Sequence, residues 1–224
     1  MIMRLIFLGP PGAGKGTYSS RICEKEGWAH ISTGDLLREE VRKATGLGVK
    51  AKEYMDSGKL VPDELVINML KTRLKGDDCK KGFILDGFPR TREQAEALDS
   101  ITRIDAVLNL RIPDWVLIEK ILARRTCEKC GDIYNVADIR FGPNDEYHMP
   151  PMKPNVEGKC DKCGGKLVSR SDETEDVIKQ RLETYRQQTE PLIKYYRDRR
   201  LLRNVDVTGP PAVMVPKIMG ILGI

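Results

Sequence analysis

The run Gly9-Pro-Pro-Gly-Ala-Gly-Lys-Gly-Thr17 constrains the fold of this chain more than any other stretch. It follows the apolar segment Met3-Arg-Leu-Ile-Phe-Leu8 without a spacer. A glycine-rich loop between a buried strand and a helix turns its backbone N–H groups inward, and the helix that follows sets its positive dipole end at the same point. Such a loop is a phosphate cradle. Lys15 brings a mobile charge to outer phosphates, and Thr17 brings a hydroxyl within reach of magnesium. One detail is irregular: the hydroxyl usually follows the lysine directly, and here Gly16 stands between them. The plainer alternative is a glycine turn that only joins strand to helix. The joint match of loop, lysine, hydroxyl and flanking pattern weighs against it.

Beyond the cradle, strand-like runs alternate with helical patterns. Residues 14–26 read as a helix. Trp28–Ile31, Phe83–Asp86 and Ala106–Leu110 read as further strands, with Val205 and Val207 in a last one. Helices are expected from the capping residues Ser32–Asp35, from Pro62 to about 75, near 91–101, and from Pro113 to about Arg125. Residues 174–199 read as one long charged helix with Val177, Leu182, Tyr185, Leu192, Tyr195 and Tyr196 inward. Pro216 is expected to kink or restart the apolar segment 209–224. The β-α alternation predicts a parallel sheet with helices on both faces. Residues 32–61 hold helical patterns without a strand, and 124–173 are rich in Gly, Pro, Cys and charge. Both read as excursions from the sheet.

A chain of 224 residues can bury one good core with small inserted lobes. Its 38 basic and 33 acidic residues leave a mild +5, without a dense Lys/Arg block that would call for nucleic acid. No apolar stretch approaches the roughly 18 residues of a membrane helix. The N-terminus enters a strand at once, with no secretory leader pattern, so a cytoplasmic location is expected.

Cys127-x-x-Cys130 and Cys160-x-x-Cys163 form a paired-knuckle pattern, and Gly131 and Gly164 follow the second cysteine of each pair. Four thiolates give zinc its tetrahedral shell and leave no position for a catalytic water, so a structural site is expected. Two disulfides or four ordinary cysteines are the alternatives, disfavoured in a reducing compartment, and iron suits the same ligands. Cys23 and Cys79 stand apart.

Taken together, Gly9–Thr17, Ile31-Ser-Thr-Gly-Asp-Leu-Leu-Arg38, Gly58-Lys-Leu-Val61, Gly82-Phe-Ile-Leu-Asp-Gly-Phe-Pro-Arg-Thr91 and the cysteine quartet resemble the adenylate kinase family, in its long form with a zinc-bearing lid. The resemblance spans nearly the whole chain. It implies a P-loop NTPase-type α/β core with a five-stranded parallel sheet over 1–31, 62–122 and 174–224. It makes 32–61 a helical AMP-binding lobe and 123–173 the lid, and it implies ATP + AMP ⇌ 2 ADP with Mg2+ and a structural Zn2+. It further implies that Gly12, Ala13, Gly14, Lys15, Gly16, Thr17, Lys120, Arg124, Ile133, Tyr134 and Gly209 meet ATP. Thr33, Arg38, Lys59, Leu60, Val61, Gly87, Phe88, Pro89, Arg90, Gln94, Arg170 and Arg181 would meet AMP. Lys15, Arg90, Arg124, Arg170 and Arg181 would act on the transferring phosphoryl group, with Asp86, assisted by Asp35, orienting magnesium through water. ATP, AMP and ADP are the implied partners of a monomer, with no nucleic acid and no membrane.

The chemistry suits this set. Guanidinium forks grip phosphate oxygens in pairs. The acceptor phosphate, with a second pKa near 6, needs no general base, and His30 and His148 lie outside the motifs. The chain departs from the family pattern in three places. Lys120 stands where an arginine usually stacks on the donor base. The stretch 131–159 is long for such a lid, its surplus at Val136–Pro150 reading as an enlarged lid tip or a contact with a neighbour. Gly209 aligns only loosely. Rival readings are a nucleoside monophosphate kinase using UMP/CMP or a GTP donor, a zinc-ribbon nucleic-acid binder, and a nucleotide switch without turnover. The 6% aromatic content and the missing basic stripe count against the second.

Overall fold

A computed structural model describes residues 2–224. Strand β1 (Arg4–Leu8) leads through the glycine loop into α1 (Lys15–Glu26). Strand β2 (Ala29–Ser32) runs straight into α2 (Thr33–Arg42), which is followed by α3 (Gly46–Asp56) and α4 (Asp63–Arg73). Next come β3 (Phe83–Asp86), α5 (Arg92–Ile101), β4 (Ala106–Arg111) and α6 (Asp114–Leu122). Five short strands follow: β5 (Arg124–Cys127), β6 (Ile133–Asn135), β7 (Ile139–Phe141), β8 (Tyr147–Met149) and β9 (Leu167–Val168). The chain closes with α7 (Glu175–Thr184), α8 (Pro191–Asp198), β10 (Leu202–Asp206) and α9 (Pro211–Leu222). Side-chain caps hold several helix starts, with Ser32, Thr45 and Thr91 each accepting from the backbone N–H three residues on.

The central sheet is five-stranded and all parallel, in the order β10-β4-β1-β3-β2. Its middle strands are apolar along their length because both faces are covered. In β1, Leu5 and Phe7 join one core cluster while Ile6 and Leu8 join the other. Register places Phe7 and Ser32 both opposite Asp86. The strand ends before the glycine loop, before α2 and before the Gly87–Arg90 turn therefore share one edge of the sheet. A crevice outside the carboxyl ends of strands, where the strand order reverses, is where such sheets bind ligands.

A second, smaller antiparallel sheet, β6-β5-β9, builds a separate lobe. Its own apolar cluster holds only Cys127, Tyr134 and Cys160, with Cys163 and Leu167 packed against them.

Four expectations from sequence need correction. The helix after Pro113 ends at Leu122, and Arg124 and Arg125 lie in β5, where they pair with Asn135 and Tyr134. The long helix 174–199 is interrupted by a π turn over Tyr185–Thr189. The inward face is Ile178, Leu182, Leu192, Tyr195 and Tyr196, with Val177 and Tyr185 only partly covered. Helix α9 runs unbroken through Pro216. Burial of Met214, Val215 and Ile218 offsets the one backbone bond that the proline cannot donate. Finally, Val136–Pro150 is not a projecting tip. It folds as the β7–β8 hairpin, and Ile139, Phe141 and Met149 are buried in the same apolar cluster as Val207, Met214 and Val215.

Candidate active site

A cavity of about 1450 Å³ opens at the carboxyl edge of the parallel sheet. Its walls bring together Gly12, Gly14, Lys15, Gly16 and Thr17 of the glycine loop, Asp86 and Arg90 after β3, and Asp35 and Arg38 of α2. From farther along the chain come Lys120, Arg124, Ile133, Tyr134, Arg170, Arg181 and Gly209.

The loop geometry follows from its glycines. Gly14 caps α1 in the left-handed region at φ 93°, and a Cβ there would sit 2.7 Å from the Tyr18 ring. A Cβ at Gly16 would approach Asp86 Oδ2 to 3.0 Å, so the irregular glycine after Lys15 makes room for a carboxylate beside the helix start. Lys15 Nζ donates to the carbonyls of Gly9 (2.7 Å) and Pro10 (2.9 Å). Burial, helped by the nearby Arg90, Arg181 and Arg124 charges and opposed by Asp86, lowers its pKa to about 8. At Asp86 burial acts to raise the pKa, but His30 and Lys15 outweigh it and hold the carboxyl below its ordinary range. Asp86 and the Thr17 hydroxyl line the same cavity. Hard oxygen ligands of this kind, in the space left by Gly16, fit a magnesium ion carried with phosphates.

Three of the arginines rest on acidic partners. Arg124 Nε donates to Glu173 Oε1 at 2.7 Å, Arg181 Nη1 donates to Asp172 Oδ2 at 3.1 Å, and Arg38 is paired with Asp35. Arg170 Nε donates to Thr126 Oγ1 at 3.1 Å. Arg90 Nε donates to the Gly87 carbonyl at 2.8 Å. Burial, with Arg38 and Arg124 close by, pulls the Arg170 guanidinium down to about 9, and burial pulls Arg181 to about 10 despite Asp172. Crowded, partly desolvated cations of this kind are poised to take a polyanion in place of their carboxylates.

Not every residue expected from sequence faces the cavity. Ala13, Val61 and Phe88 are buried in the core clusters. Thr33 is buried and donates to the Gly87 carbonyl at 2.8 Å. Gln94 is buried too: its Nε2 donates to Asp63 Oδ1 at 2.7 Å and its Oε1 accepts from Arg90 N at 2.8 Å. Its amide still has one donor and one acceptor lone pair in hand. Leu60 and Pro89 line a smaller adjoining cavity that Gly87, Arg90, Lys15 and Arg181 share with the large one, and Lys59 is exposed. Tyr134 turns its hydroxyl toward Cys160 Sγ, 3.7 Å away. Asp63, Asp172 and Glu173 escaped the sequence reading. The acidic pair one residue beyond Arg170, after Ser171, is the signal that could have found two of them.

The four cysteine sulfurs lie within 4.8 Å of one another, with Cys127–Cys163 at 3.5 Å and Cys130–Cys160 at 3.6 Å. Sulfurs bound tetrahedrally at about 2.3 Å would stand about 3.8 Å apart. Gly131 N–H and Gly164 N–H close the two knuckles onto the carbonyls of Cys127 and Cys160. A Cβ at Gly165 would press within 2.8 Å of Cys127 Sγ. The cluster fits a structural zinc site, and it sits in the small lobe that also supplies Arg124, Ile133 and Arg170.

Comparison with known proteins is consistent along the chain. The family model for adenylate kinase matches residues 7–201. An adenylate kinase from Archaeoglobus fulgidus is 53% identical over 211 residues, covering 92% of this chain and 91% of its own. One from Thermodesulfovibrio yellowstonii is 53% identical over 212 residues, covering 92% and 93%. One from Clostridium botulinum is 46% identical over 226 residues, covering 99% of each.

Proposed function

Since the chain belongs to the adenylate kinase family, we propose that it catalyses ATP + AMP ⇌ 2 ADP with Mg2+ and so serves adenine nucleotide balance, as a cytoplasmic monomer. The observation that carries this reading is the convergence of Lys15 with Arg38, Arg90, Arg124, Arg170 and Arg181 around one cavity. One nucleotide needs the cradle, and a second phosphate group needs the remaining forks.

In this reading, the glycine-loop N–H groups and the α1 dipole hold the donor phosphates, and Lys15 leaves the Gly9 and Pro10 carbonyls to bridge them. Arg38 and Arg90 hold the acceptor phosphate. Arg124, Arg170 and Arg181 exchange their carboxylate and hydroxyl partners for the transferring group, whose charge spreads over its equatorial oxygens. Magnesium, held through water by Asp86 with the Thr17 hydroxyl near, would neutralise phosphate charge. No side chain need take a proton, because the acceptor oxygen is already ionised at pH 7. Gln94 would read the acceptor base with its unused donor and acceptor. The residues of 32–61 would form the AMP lobe, and those of 123–173 the lid. Zinc in the cysteine cluster would hold that lid together.

Coupled assays over four acceptors and four donors test the assignment. AMP is expected to exceed every other acceptor by at least about tenfold, the effect of one good hydrogen bond. A smaller margin, or no ADP formed at all, would overturn it in favour of a broader kinase or a switch. Metal analysis tests the site, with about one tightly held zinc per chain expected and iron the competing outcome.

A further inference from the structure

The hairpin β7–β8 is the segment that the family reading leaves without a role. It is closed at its base by Asn135 and Met152, which exchange backbone bonds of 3.1 and 2.7 Å. The Asn135 side chain then fastens that base to α6, donating to the Lys120 carbonyl at 2.7 Å and accepting from Ala137 N at 3.0 Å. At the far end Phe141 meets the Trp115 ring of α6 edge-on, with centroids 6.4 Å apart, and also packs on Tyr147. His148 of β8 and Asp138, just before β7, meet at 2.6 Å. The hairpin is thus fixed to α6 at both ends.

Its inner side belongs to the cavity. Ile139 and Met149 line it together with Lys120, Ile133 and Gly209. The carbonyl of His148 lies 3.8 Å from where a Cβ on Gly209 would stand, so hairpin and α9 turn meet there. The Tyr18 hydroxyl reaches the Gly209 carbonyl at 3.5 Å, and the Tyr18 ring lies under Gly14, which connects this end of the cavity to the phosphate loop. A triphosphate seated on the loop, its terminal group toward Lys15 and Asp86, sends its base away from the arginine cluster. The hairpin is what covers that end.

We propose that the β7–β8 hairpin is the outer wall of the donor-base pocket and that Met149, with Ile139, is a donor-positioning residue that favours a purine. The proposal rests on the kinase reading above. A thioether and a branched aliphatic side chain that line the cavity along with Lys120 offer apolar surface to a flat ring, and sulfur–ring contact adds to the area buried. The larger purine ring system covers more of that slot than a pyrimidine does.

Calorimetric binding of ATP alone and of AMP alone to the full-length, metal-loaded protein tests this, together with KM for ATP and CTP as donors. Met149→Ala is expected to raise the Kd and KM for ATP about five- to tenfold, to raise KM for CTP less than threefold, and to leave the Kd for AMP within twofold. Met149→Leu should stay within twofold of the parent for ATP. Phe141→Ala, which loosens the hairpin away from the slot, should shift Trp115 emission and weaken ATP more than AMP. An ATP Kd unchanged within twofold in both Met149→Ala and Phe141→Ala, or losses equal for ATP and AMP, would overturn the wall. A parent protein that binds neither nucleotide would overturn the kinase reading itself.

Discussion

The cradle side of the cavity and the cysteine lobe opposite it are stabilised in different ways. The cradle hangs from the ends of β1, β2 and β3; β1 and β3 are buried on both faces in two large apolar clusters, and β2 buries one face in the second. The lobe has three short strands and a cluster of three buried residues, two of them cysteines. Too small to build a core, it is expected to draw its order from a metal. The cradle strands thus rest on the hydrophobic effect, whereas the lobe that carries Arg124 and Arg170 is expected to rest on coordination chemistry. The cysteine cluster shares no core with the sheet, but the β7–β8 hairpin between β6 and β9 is buried against it.

Changes on each side should separate the two. Lys15→Met is expected to cost the largest factor, at least about 10³ in kcat, because a positioned charge is lost at the transferring group, while the melting temperature hardly falls. Steady-state assay beside a thermal melt checks this, and a large loss of stability would blur the distinction. Cys127→Ser, or chelation of the metal, is expected to unfold the lobe alone. Circular dichroism should then show an early minor transition with the main one nearly unmoved, and a single transition lowered as a whole would mean that lobe and core are one cooperative unit. Leu108→Ala, in the middle of the sheet and wholly buried, should cost about 3 kcal/mol, or about 6–12 °C, with nucleotide Kd values unchanged.

The smallest effect concerns Lys120. Burial, with Arg124 close by, lowers its pKa to about 8. The unfolded chain keeps that proton up to the ordinary lysine range, so the native state binds fewer protons between about pH 8 and 10. The charged form therefore costs stability at pH 7, and the cost fades as pH rises through that window. Lys120→Met is expected to raise the melting temperature by about 1–2 °C at pH 7, with the gain shrinking toward pH 10. A gain that grows with pH would refute the assigned cause.

Local signals carried much of this. Gly9–Thr17, the apolar strands and the cysteine spacing announce their structure because backbone freedom, two-sided burial and metal geometry are written in a few adjacent residues. The misjudged parts depend on distant partners. The π turn at Tyr185–Thr189 and the continuity of α9 through Pro216 are set by packing against the sheet. The end of α6 at Leu122 follows from the pairing of β5 with β6. Gln94 offered an amide suited to a base edge, but its bond to Asp63 joins residues far apart in sequence.

By itself, then, the sequence determined that this chain would be a parallel α/β protein with a phosphate cradle and a four-thiolate cluster. Each of those needs only a short motif with fixed backbone demands. Tertiary structure alone decided which carboxylates the arginines rest on and where Val136–Pro150 goes. Its runs Ile139-Arg-Phe141 and Tyr147-His-Met149 alternate about a Gly142-Pro-Asn-Asp145 turn, but nothing in the segment marks it as docked on the core. The surface that buries Ile139, Phe141 and Met149 is assembled with residues of α6 and α9, outside the segment.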